Sequence, residues 1–439
     1  MPTAERSVTI RGIAAWVRGQ PHLENATLVF LVLSAATSVL GVSPMEVAYG
    51  LAFACWCLLV LSGRFTKAWR SSPLLVPGLV FLFANFVVIL CSIDPPNSFK
   101  AVQQLGLMGM ALVVGNAVRE KGRLKVLVLV WLAAVAAVSL YAVGQYLAGE
   151  PRARAFFHGP MTLARILIFA VAVAMTLSLC VAGPIRWLSV FCSAATTAAL
   201  CLTLTRGAWL ALVAALLFLG LVKKSRILFA GLSLLLCLAV VLAAFYPNTQ
   251  PGALVRSIIR PADPSSPRFY ESTYQRYWLY KSAVGIFLDH PITGVGQRNF
   301  VEVYGSYIPQ QMRSPDALRK DGTVYTGWPH AHNLYLNLLA TEGLLGFATF
   351  AWLIVTAIRL AWRNYRNRND AFLRGLALGI LTAIVAFLTM GLLDENLRDS
   401  EGIMPLWFLM GVLWAIHRLD AGADAKPPVT PGPAIAKGL

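Results

Sequence analysis

Apolar segments long enough to cross a bilayer recur about twelve times along this chain, and no other feature constrains its fold as strongly. They are Ala26–Leu40, Met45–Leu61, Leu74–Ser92, Val102–Val118, Val126–Leu147, Met161–Ala182, Trp187–Leu204, Gly207–Val222, Ile227–Tyr246, Leu334–Ile358, Ala371–Leu393 and Ile403–Ile416. Hydrophobic residues make up 57% of the chain and charged ones 13%, which excludes an ordinary soluble globular protein. The expected architecture is an all-α polytopic membrane protein with about 12 transmembrane helices. Its layout is a leader at 1–25, nine spans over 26–246, a helical extramembrane region at 247–333, three spans over 334–418 and a disordered tail at 419–439. The first apolar run follows Arg6, Arg11 and Arg18 with no small-residue cleavage site, so it is read as a retained span.

Short-loop charges set the expected orientation. Arg64, Lys67 and Arg70 share one loop; Arg119, Lys121, Arg123 and Lys125 a second; Lys223, Lys224 and Arg226 a third; Arg359, Arg363, Arg366 and Arg368 a fourth. All fall on the side of the basic N-terminus. The positive-inside rule makes that side cytoplasmic, with both termini inside and Arg206, the 247–330 loop and His332 outside. The net charge of +17 is therefore mostly topological. No basic stripe interleaved with aromatics calls for a nucleic acid. All seven cysteines fall in expected spans, so they read as small buried hydrophobes rather than a disulfide framework.

Candidate chemistry gathers on the outer side. His330-Ala-His332-Asn333 precedes an apolar helix, and 100° per residue sets His332 and Gly343 about 20° apart on one face, with Gly346 a turn further. Leu204-Thr-Arg206-Gly-Ala208 is a tight hairpin that leaves Arg206 at a helix N-terminus, where an anion is favoured. The long loop carries helical spacing over Glu271–Leu288, with Arg276 and Trp278, then a stop at Asp289-His-Pro291 and a turn at Gly294-Val-Gly296. Its aromatics suit a membrane-surface helix or a sugar-stacking site. Asp394 ends the eleventh span and either pairs with an Arg or His or marks the water boundary. Arg165, inside the sixth span, must snorkel to the surface or be paired. Arg152, Arg154 and His158, just before that span, bind an anion or are solvated.

Such a set suits a base acting beside an anion. Imidazole takes a proton from a hydroxyl near neutral pH, and a helix N-terminus disfavours its charged form. Arginines hold a diphosphate and offset the charge that grows as it leaves. A His-x-His pair can also bind zinc, but no third ligand is evident: no Cys lies outside and the helix lacks His-Glu-x-x-His spacing. No metal and no cofactor are expected. A transporter would show inverted repeats and polar groups at mid-membrane, whereas here the polar groups gather at one surface.

These stretches together resemble the O-antigen ligase and polymerase family of bacterial envelope glycosyltransferases. The family's signature, His followed by Asn, Ser or Gln, nine residues and Gly-x-x-Gly, is similar to His332-Asn333 with Gly343 and Gly346. Thr205-Arg206-Gly207-Ala208, and Arg276-Tyr-Trp278 leading to Pro291-Ile-Thr-Gly294-Val-Gly296 and Phe300, also resemble it, over roughly residues 160–415. The resemblance implies a GT-C-like, metal-independent, inverting transferase of the inner membrane with a periplasmic active site. It implies an undecaprenyl-diphosphate-linked O-antigen donor and a sugar hydroxyl of the lipid A core as acceptor. On it, His332 activates or positions the acceptor, Arg206 and Arg276 bind the diphosphate, and His330, Asp394 and Trp278 support them. Polymerases and protein O-oligosaccharyltransferases share these motifs; the absence of an extra soluble domain favours a ligase.

Overall fold

The computed structural model describes residues 22–62, 72–226, 275–308, 330–397 and 399–421, with a few positions between 228 and 241. Among them the chain is helical, with no strand. The helices are α1 His22–Thr37, α2 Val42–Leu61, α3 Leu75–Leu90, α4 Pro95–Phe99, α5 Val102–Gly106, α6 Gly109–Ala117, α7 Lys121–Leu147, α8 Pro160–Cys180, α9 Pro184–Leu202, α10 Arg206–Lys223, α11 Gln275–Asp289, α12 Phe300–Val303, α13 Leu334–Asn367, α14 Ala371–Met390 and α15 Ser400–Ala421. A 3₁₀ turn covers Tyr304–Tyr307. Of these, α2, α7, α8, α9, α10, α13, α14 and α15 are long and apolar enough to cross a membrane, and α1 and α3 are shorter apolar helices. The protein is an all-α polytopic membrane protein. Most of the ninth expected span, of the leader and of the tail lies outside the described residues.

The fourth expected span, Val102–Val118, is not one helix. It breaks at Leu107 and Met108 into α5 and α6, and the Tyr49 hydroxyl donates to the freed Gly106 carbonyl at 2.7 Å. Continuous hydropathy cannot register such a break, because both pieces stay apolar.

At the centre, α8 and α14 are buried almost all round. Burial on every side explains why they read as uninterrupted apolar runs rather than amphipathic ones. They approach closely through small residues: a Cβ on Gly379 would sit 3.0 Å from the Cα of Val173, and one on Gly375 2.8 Å from the Cβ of Cys180. By contrast α3 turns Val76, Leu79, Phe83, Phe86 and Leu90 outward, as a helix facing lipid tails does.

Two ends of the bundle are defined by their polar contacts. At one, Lys121 pairs with Asp370, Arg368 donates to the Ile416 and His417 carbonyls, and Arg418 to those of Asn116 and Val118. At the other, residues 93–98, 291–299, 330–333 and 391–399 come together beside a small apolar cluster of Leu279, Ile286, Phe300, Tyr304 and Ala340. The candidate residues lie at this second end.

The long helix α13 departs from the expectation of one straight face. His332 is not in it: Asn333 is the N-cap, its side chain accepting from the Tyr335 and Leu336 amides. At Gly343 the backbone takes φ 63° and ψ −164°, a region open essentially to glycine alone. His332 and Gly343 therefore share no helical face. The break frees backbone groups at mid-helix, and the loop after α11 satisfies them. Val295 and Gly296 amides donate to the Ala340 and Thr341 carbonyls, and Leu344 and Leu345 amides donate to Pro291 and Ile292. Pro291-Ile-Thr-Gly-Val-Gly296 is thus the splint for the interrupted helix.

Candidate active site

Asp394 organises the corner at this end. Both Nε and Nη2 of Arg165 donate to its Oδ2, at 3.1 and 2.9 Å, and Nη1 of Arg165 reaches Asp399. Arg165 is 4% exposed, so it is paired, and it does not snorkel. The expected choice between those two resolves this way because the 391–399 loop folds back over α8 and brings two carboxylates to it. Burial opposes ionisation of Asp394, yet the Arg165 guanidinium, with the His332 and His330 rings nearby, holds the carboxyl well below the usual carboxylate range.

The second oxygen of Asp394, Oδ1, lies 3.5 Å from Nδ1 of His332. That contact favours the proton on Nδ1 and leaves Nε2 as the basic nitrogen. His332 takes a left-handed φ of 50°, rare for a residue with a Cβ, and its surroundings enforce it. Its amide donates to Nδ1 of His330 at 3.2 Å, the two rings meeting edge-on with centroids 4.4 Å apart. Its carbonyl accepts from the Tyr280 hydroxyl at 3.3 Å. Next to it, the Asn333 side chain donates to the Leu392 carbonyl, and the Leu334 amide to that of Gly391. Burial raises the Tyr280 phenol pKa although Arg276 opposes it, so Tyr280 remains a hydroxyl donor.

Arg206 reaches the same corner from another direction. It opens α10 directly after Leu204, whose φ is 50°. The tight turn is held by Arg152, which donates to the Thr203 and Leu204 carbonyls and the Thr205 hydroxyl. Arg152 is therefore a brace for the Arg206 hairpin. Gly207 lies against Met390 and Leu393, just ahead of Asp394 in the chain. Arg276 is near enough to act electrostatically on both Arg206 and Tyr280, one helical turn before Tyr280 on α11. Arg206, Arg276, His330, His332 and Asp394 are thus brought together. Trp278 is not: two residues from Arg276, it is turned about 200° away, where it packs against the second apolar cluster and Lys281.

Sequence reasoning missed a buried polar group beside this corner. Glu342 and Glu395 are 6% and 2% exposed. Gln297 donates to Glu342 at 3.0 Å and also to Asn85. Burial pushes the Glu395 carboxyl up to about 7, against the pull of Arg165. The signal in the sequence was Glu342 itself, a carboxylate in an otherwise apolar span.

The third metal ligand that the sequence lacked is supplied in space: His330, His332 and Asp394 offer ligand atoms within 4.8 Å of one another. Asp394 already neutralises the Arg165 guanidinium, and a dication there would sit against a fixed positive charge. The donor set fits a hydrogen-bonded base better than a metal centre.

No curated protein matches the chain. Residues 188–351 match the family model described as O-Antigen ligase, a segment holding Arg206, Arg276, His330, His332, Gly343 and Gly346. Over this segment the chain is similar to the O-Antigen ligase family.

Proposed function

We propose that the protein is an O-antigen ligase: a glycosyltransferase that moves a glycan from undecaprenyl diphosphate to a sugar hydroxyl of the lipid A core. The observation that carries this reading is the convergence of two guanidiniums with an oriented imidazole at one end of a membrane bundle. Nε2 of His332 takes the acceptor hydroxyl proton as that oxygen bonds to the anomeric carbon. The bond from that carbon to the diphosphate breaks, and Arg206 and Arg276 offset the charge gathering on the leaving diphosphate. Attack opposite the leaving group inverts the anomeric centre. His330 fixes the His332 backbone and Asp394 its ring.

The active site faces the periplasm in this reading, with the protein in the inner membrane and both termini cytoplasmic. The basic loops at the opposite end of the bundle support that orientation. The test is transfer by purified protein supplied with a lipid-linked glycan and rough lipopolysaccharide. A ladder on lipid A is the expected product; lengthening of the lipid-linked donor would make the protein a polymerase, and glycan on an added protein acceptor an oligosaccharyltransferase. His332→Ala, Arg206→Ala and Arg276→Ala each abolish transfer while the protein still inserts. Retained activity removes that residue from the mechanism.

A further inference from the structure

The break between α5 and α6 leaves a gap in the bundle wall. It is walled on one side by α3, whose exposed Leu79, Phe83 and Phe86 line it, and behind by α13 and α15. The gap is an apolar cavity of about 590 Å³ that runs along α3 from Leu74 to Ile89 and is backed by Leu353, Met410 and Trp414. At the active-site end it meets a cleft of about 70 Å³, the two sharing Leu105, Met108 and Trp407. That cleft, unlike the cavity, carries polar side chains among its apolar ones: Gln104, Gln297, Arg298, Asn337, Glu342 and Glu395. Oε2 of Glu342 and Nε of Arg298 are buried there without a hydrogen-bond partner.

An apolar trough leading into a small polar cleft is the shape of a lipid with a hydrogen-bonding head. The walls say which head. Amides, a guanidinium and two carboxyls present acceptors and donors side by side, the arrangement that meets sugar hydroxyls. Carboxyls supply no positive charge for a diphosphate, and neither Arg206 nor Arg276 lines the cleft. At about 70 Å³ the cleft takes the hydroxylated edge of a sugar and no more.

Resting on the ligase reading, we propose that the apolar cavity seats an acyl chain of the glycolipid acceptor and that the adjoining polar cleft holds an edge of its sugar head. The lipid diphosphate of the donor then approaches from the Arg206 and Arg276 side, so the two lipids do not compete for one entrance. Asn337 links the cleft to the base, since its side-chain oxygen accepts from the Ala331 amide, next to His332.

Gly78 and Gly106 line the cavity, and a Cβ on either meets nothing within 4 Å. Gly78→Leu and Gly106→Phe therefore fill it without disturbing the backbone; Gly50→Phe on α2, equally unobstructed and outside the cavity, is the control. Initial rates are measured with lipid-linked donor and rough lipopolysaccharide varied in turn. The expected result is a KM for acceptor raised about tenfold, with the KM for donor unchanged. A raised donor KM, or no change in either, overturns the proposal. Photolabelling with a glycolipid carrying a diazirine in its acyl chain separates the two readings. Label on Leu79 or Met410 in a protein that transfers nothing refutes the ligase and keeps the cavity assignment; active transfer with no label there refutes the cavity alone.

Discussion

Arg165 and Asp394 lie 229 residues apart in the chain and meet in the interior, with two guanidinium nitrogens on a single carboxylate oxygen. Because Oδ2 takes both, Oδ1 is left for His332. The pair therefore both neutralises a charge inside the bundle and aims the base.

Those two roles are separable. Arg165→Met leaves a buried carboxylate uncompensated and is expected to cost about 3–5 kcal/mol, read as a lower unfolding midpoint in detergent. The double variant Arg165→Met with Asp394→Leu recovers most of that stability but none of the activity. Asp394→Asn keeps the shape and loses about a hundredfold or more in turnover, because the imidazole loses its anionic partner. Wild-type turnover in Asp394→Asn would show that the carboxylate only holds the fold.

Stability should fall as pH rises from about 4.5 to about 7, and Glu395 contributes to that fall. Its folded carboxyl is pushed up to about 7, whereas in the unfolded chain it ionises near 4.3. Between those values the unfolded state has released a proton that the folded state keeps, so the native state loses ground with increasing pH. Asp394 has the opposite sign: its folded value is depressed, so its contribution is in place above about 4 and is lost only in stronger acid. Glu395→Gln is expected to lessen the slope of the unfolding midpoint between pH 5 and 7. An unchanged slope would assign it to another group.

Gly343→Ala should be among the most damaging conservative changes in the chain. The backbone region alone disfavours alanine by about 1–3 kcal/mol, and the added methyl would strike the Ile292 carbonyl. Gly346→Ala acts differently: its methyl falls 2.3 Å from Cβ and 2.6 Å from Oε2 of Glu342, so the helical turn between them must shift and the carboxyl leaves Gln297. The first is expected to reduce folded yield the more, the second to lower both the unfolding midpoint and transfer. Thermal unfolding and initial rates, measured together, distinguish them.

Much of this was legible in advance, for identifiable reasons. Spans such as Met161–Ala182 and Ala371–Leu393 are buried on all sides, and hydropathy registers that directly. Arg206 and His332 stood out as polar groups at span ends, and Arg276 within the helical stretch of the long loop. What stayed hidden were relations between distant segments. That Arg165 is paired depends on how the loop after α14 folds back, and no local pattern carries it. The interruption at Gly343 was hidden because the sequence on both sides keeps helical periodicity, and only the splint from residues 291–296 makes it stable.

Chelation separates the two readings of His330, His332 and Asp394. Transfer is expected to be unaffected by EDTA, since Arg165 already satisfies the carboxylate. Loss of activity on chelation, restored by zinc, would make these residues a metal centre.

The interval between Asn333 and Gly343 works as a gauge. One end is fixed by the cap at Asn333 and the other by the amides of Val295 and Gly296. Inserting or deleting a single residue between them would rotate every later position by about 100° and leave the donors of residues 295 and 296 facing side chains. Apart from Asn337 and Glu342, whose side chains are hydrogen-bonded, the interval tolerates substitution better than a change in length, because its nine-residue count is set by the distance between two anchors.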